Sequence, residues 1–149
     1  VHLHDLARTH DGRCLRHGTD AWAKLQTLPA MGERLGRAGV TDEDLETIRT
    51  AVTHHCQPDE LPREHPHWRL TSLLKDADGL DRVRLSDLDV RYLRHPASAT
   101  MSDFASCLFE ETDGRLPLGP GHFEALWSEA LRIRDEGNAR NVPMPAVRA

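Results

Sequence analysis

Residues 41–55, TDEDLETIRTAVTHH, carry apolar side chains at Leu45, Ile48 and Val52, in steps of three and four. A helix turns about 100° per residue, so these steps hold one face toward a core, whereas a strand would show alternation. The opening TDED is a helix start. A threonine hydroxyl caps a backbone N–H, an acid three residues on reaches back, and the remaining acids meet the positive end of the helix dipole. One more step along the stripe lands on His55 and turns His54 away by one residue's rotation. Of the two histidines, His55 is the one placed to reach a buried site.

The same spacing governs most of the chain, and no internal repeat interrupts it, so the predicted fold class is all-α. A helix is expected from about Leu15 to Leu28, with Ala21, Trp22 and Leu25 inward and Pro29 near its end. DELPREHPHW reads as a surface loop. It leads into a helix near Trp68 that carries Leu70, Leu73, Leu74, Ala77 and Leu80 and continues through KDADGLDRVR. Pro96 is expected to end regular structure, and Ser102 to cap a helix holding Phe104, Cys107 and Leu108. Phe123, Leu126, Trp127, Ala130 and Ile133 form the inner stripe of a last helix closed by Gly137, with residues 138–149 as a tail. The opening through Thr9 reads as the last turns of a helix.

At 149 residues the chain suits one domain. No apolar run reaches the length of a membrane span, and the first residues lack the pattern of a signal peptide, so no membrane partner and a cytoplasmic setting are expected. Cys14, Cys56 and Cys107 are far apart and form no CxxC pair, which argues for reduced thiols rather than a disulfide or cysteine-zinc framework. A net charge of -5 offers no general basic surface for a nucleic-acid polymer.

Ten histidines are the unusual feature of the composition, and three polar groups stand where helical packing argues for burial: His4-Asp5, His55 and Asp78. Asp78 shares a side with Leu74 and Leu85, where an ionised carboxylate needs a partner or a cation; an ion pair with Arg82, four residues on, is the simpler alternative. His17, at the start of the second expected helix, is a fourth candidate. Imidazole and carboxylate together suit a divalent ion such as Mn, Fe, Co, Ni, Zn or Mg. Such an ion acidifies water and polarises a phosphoryl oxygen.

In order along the chain, HDLARTHDGRCLRHG, AVTHHC and LLKDADGLDRVRL resemble the HD-domain superfamily of metal-dependent phosphohydrolases, over roughly residues 3–95. The resemblance implies a helical bundle of about five or six helices. It implies metal ligation by His4, Asp5 and Asp78, selects Asp78 over Asp76, and places His17 and His55 as added ligands with His54 in reserve. Asp5 would orient or deprotonate water, and Lys75, Arg82 and Arg84 would flank the substrate phosphate. The implied substrate is a small phosphate ester or nucleotide. The family's motif opens with a further histidine on an upstream helix that this segment does not contain, so the sequence reads as lacking its first helix. Members with four histidines and two aspartates include mixed-valent di-iron oxygenases, and a non-catalytic helical module with a vestigial site is the remaining alternative.

Overall fold

The computed structural model describes residues 3–10, 12–116 and 119–139. Among them the protein is all-α, with seven α-helices, three short 3-10 segments and no strand. By its contacts the chain divides into two compact units, Val1–Lys75 and Asp76–Ala149.

The first unit opens on a 3-10 turn, Leu3–Asp5, rather than on the end of an α-helix. It continues through α1 (His17–Thr27), α2 (Met31–Arg37), α3 (Asp42–His54) and the start of α4 (Trp68–Leu80). Helix α3 begins as its sequence demands: Asp44 N donates to Thr41 Oγ1, and Thr41 N donates to the Asp44 carboxylate. Those hydrogen bonds, the one from the Thr41 backbone first, hold the Asp44 carboxyl below the usual carboxylate range. Helix α1 packs against both α3 and the Leu3–Asp5 turn. Ala21 and Leu25 of α1 and Ala51 and Val52 of α3 form the buried apolar centre. Gly18 lets the two helices meet, for a Cβ built there would lie 2.1 Å from the Val52 carbonyl oxygen. Helix α2 has no counterpart among the expected elements; its two glycines lower its helix propensity, and none of its residues is buried.

Helix α4 inverts the expected burial. Its buried positions are Thr71, Ser72, Lys75 and Asp76, while Leu70 and Leu73 are exposed. The hydroxyls of Thr71 and Ser72 donate to the carbonyls of His67 and Arg69, one turn back along the chain. The Lys75 ammonium donates to Gln57 O at 2.9 Å, Asp59 O at 3.0 Å and Glu60 Oε1 at 3.1 Å, fastening α4 to the loop after α3.

The second unit holds the end of α4, 3-10 segments at Asp81–Leu85 and Val90–Tyr92, then α5 (Pro96–Ala99), α6 (Ser102–Thr112) and α7 (His122–Ala139). The run KDADGLDRVR is therefore α-helical only to Leu80 and tightens to 3-10 beyond it. Pro96 starts a helix instead of ending structure, because the first helical position needs no N–H from it. Ser102 lies inside α6, whose cap position is Met101 and has no side-chain cap. Helix α7 runs past Gly137 to Ala139, and residues 140–149 of the expected tail lie outside the described residues. Of the predicted inner stripe of α7, Ile133 is buried, whereas Phe123 and Trp127 are exposed and stack on each other with centroids 6.4 Å apart. Helix α6 packs against α7 and the Asp81–Leu85 segment. No described helix is long and apolar enough to cross a membrane.

Candidate metal centre

His17 is the first residue of α1 and His55 caps the end of α3, and both are buried. Their rings meet edge to face, with centroids 4.6 Å apart. His17 Nδ1 lies 2.6 Å from the Cys14 carbonyl oxygen, and His55 Nδ1 lies 2.7 Å from that of Val52. A carbonyl only accepts, so each Nδ1 carries the ring hydrogen and each Nε2 presents a lone pair. The two Nε2 atoms are 2.7 Å apart. Two lone pairs brought to that distance can share one cation, as a metal ion would be shared. Fixing the ring through Nδ1 is also how metal-binding histidines are held by their surroundings.

Asp5, at the end of the Leu3–Asp5 turn, aims its Oδ1 at the same point, 3.3 Å from His17 Nε2 and 4.0 Å from His55 Nε2. This oxygen is buried and accepts no hydrogen bond from the described residues. A buried carboxylate oxygen without a donor is costly, and a cation between it and the two nitrogens removes that cost. His4 completes the group: ligand atoms of His4, Asp5 and His55 lie within 4.8 Å of one another, and the His4 ring stands edge-on to His55 at 4.9 Å. Two imidazole nitrogens, a carboxylate oxygen and a neighbouring third imidazole form a donor set that fits a divalent transition metal.

Four of the five predicted ligands, His4, Asp5, His17 and His55, are thus brought together within the first unit. Asp78 belongs to the second unit, half-buried near the end of α4. Its neighbour in the KDAD run, Asp76, is the deeply buried acid, and all its described partners are structural: the backbone N–H groups of Arg94 and His95, the Arg94 guanidinium and the Ser98 side chain. His54 ends α3, half-buried. Of the predicted phosphate-binding residues, Lys75 spends its three N–H donors on the contacts given above. Arg82 pairs with Asp87, and Arg84 with Asp81 at 2.6 Å.

Three neighbours of the centre escaped the sequence reading. Arg8 is largely buried and sets its guanidinium 3.5 Å from Asp5 Oδ2; its position three residues after Asp5 was the available signal. Cys56 follows His55 directly, and its sulfur forms a second group with ligand atoms of His17 and His55, all within 4.8 Å. Gly18 follows His17 and permits the approach of α1 to α3. No family model, curated protein or solved structure matches the chain.

Proposed function

We propose that this chain is a metal-dependent phosphohydrolase, cytoplasmic, acting on a small phosphate ester or nucleotide. The observation that carries the reading is the convergence of His17 Nε2, His55 Nε2 and Asp5 Oδ1, an oxygen that accepts no hydrogen bond from the described residues, at one point. The order of motifs in the sequence supplies the reaction class. Asp5, His17 and His55, with His4 beside them, would hold the ion, which supplies an acidified water and a polarised phosphoryl oxygen when bound. Asp5 Oδ1 faces the histidine pair, and its Oδ2, 3.6 Å from His4 Nε2 and 3.5 Å from the Arg8 guanidinium, would orient or deprotonate a water held at the centre. Arg8 lies beside Oδ2, its Nε donating to His10 O at 3.0 Å, and the rest of its planar guanidinium would steady the phosphate.

Elemental analysis and phosphate release from a panel of nucleotides and simple esters, with Mn, Co, Fe, Ni, Zn or Mg added, test the reading. Bound metal and turnover are expected, with Asp5→Asn losing bound Mn or Mg and at least about 100-fold in kcat. A chain with no metal and no turnover defeats the proposal; a mixed-valent di-iron EPR signal without phosphate release replaces it with an oxygenase.

Arg8→Ala separates phosphate binding from metal binding. It is expected to raise KM about 10- to 100-fold, the worth of a charge-assisted hydrogen bond, with metal content unchanged. An unchanged KM would assign Arg8 to fixing the Leu3–Asp5 turn alone.

A further inference from the structure

The His17–His55 pair has donors of opposite character near it. Asp5 contributes a hard carboxylate oxygen, and the Cys56 sulfur forms a separate group with the same two histidines. We propose that His17, His55 and Cys56 constitute a second, thiophilic metal-binding set, which takes Zn(II) or Co(II) in place of the ion held through Asp5. The inference uses the two histidines of the metal-centre reading but needs neither Asp5 nor phosphatase activity.

The surroundings of Cys56 suit a metal thiolate. Its S–H donates to Leu15 O at 3.3 Å, and the Gln57 side-chain amide donates to that same oxygen. When a metal replaces the thiol proton, which leaves to solvent, Leu15 O therefore keeps a donor. Gln57 Nε2 also lies 4.0 Å from the sulfur, so an N–H is at hand for the thiolate. Because both rings donate through Nδ1 to carbonyls, each has only Nε2 to give. The carboxylate set and the thiolate set consequently share their two nitrogens, so the histidine pair holds one ion at a time. Softness then chooses between them: thiolate with imidazole favours Zn(II), carboxylate with imidazole favours Mn(II) or Mg(II).

Titrating the full chain with Co(II) reads the donor set directly, because a thiolate ligand adds an intense near-ultraviolet charge-transfer band. Wild type is expected to show that band, Asp5→Asn to keep it, and Cys56→Ser to lose it. Cys56→Ser should also weaken Zn(II) binding by more than the about 10- to 100-fold that loss of a supporting partner costs. In wild type, one equivalent of Zn(II) is expected to displace bound Mn(II). Co(II) bound without the band, or with a band that survives in Cys56→Ser, overturns this inference while leaving the Asp5-centred reading intact. Zn(II) and Mn(II) bound together overturns the exclusion. Failure of Co(II) to bind at all removes both the inference and the metal centre it shares.

Discussion

Replacing Gly18 with alanine is expected to unfold the first unit or to force α1 away from α3, and to abolish metal binding in either case. The new Cβ would sit 2.1 Å from the Val52 carbonyl oxygen and 3.2 Å from the His55 ring. Neither neighbour can yield cheaply: the first is backbone inside α3, and the second is held by its own bond to that same carbonyl. Overpacking costs about 1–3 kcal/mol where side chains can shift, and a backbone clash exceeds that range. In a unit of this size each kcal/mol lowers Tm by roughly 4–8 °C, so a fall on the order of 15 °C or more is expected. Gly36→Ala is the control. It lies in α2 with nothing within 4 Å of its would-be Cβ, and helix propensity alone favours alanine by about 1 kcal/mol. Circular dichroism melts and metal content of the two variants check the contrast. A Gly18→Ala protein with wild-type Tm and metal content would mean that α1 and α3 do not meet as described.

The contrast also shows what could be read beforehand. Helix α3 was legible because cap, acids and stripe all point the same way, and that agreement put His55 on the inner face. His17 and the His4-Asp5 pair were legible as candidates by residue type. Their convergence was not, since it depends on Gly18, which reads in isolation only as a weak helix former. Helix α4 misled because its leucines suggest the buried face, whereas the buried positions are polar groups satisfied by backbone carbonyls and charged partners. Pro96 misled in the same way, for a proline reads as a stop unless the segment before it is known to be held for a helix start. What holds that segment is Asp76, 18 residues earlier than Arg94 in the chain and beyond the reach of any local pattern.

Asp76→Ala is accordingly expected to be the most destabilising change in the second unit. The carboxylate is 1 % exposed and accepts from Arg94 N at 2.8 Å, His95 N at 2.9 Å, the Arg94 guanidinium at 3.3 Å and the Ser98 side chain. Alanine leaves those donors unsatisfied and one arginine without its carboxylate. Breaking a buried pair from one side costs about 3–5 kcal/mol, or a fall in Tm on the order of 20 °C at this size. The same contacts fix a pH dependence. Burial alone would raise the Asp76 pKa, but the four donors outweigh it and hold the carboxyl below the usual range. The unfolded chain therefore takes up this proton at a higher pH than the folded one. The stabilisation is complete above the ordinary carboxylate pKa and is lost as pH falls through the lower, folded value. Wild type should thus lose Tm on acidification through that range, and Asp76→Asn, which keeps the shape but has no charge to lose, should show a flatter acid limb from a lower starting Tm. Superimposable acid profiles for the two proteins would remove Asp76 from this role.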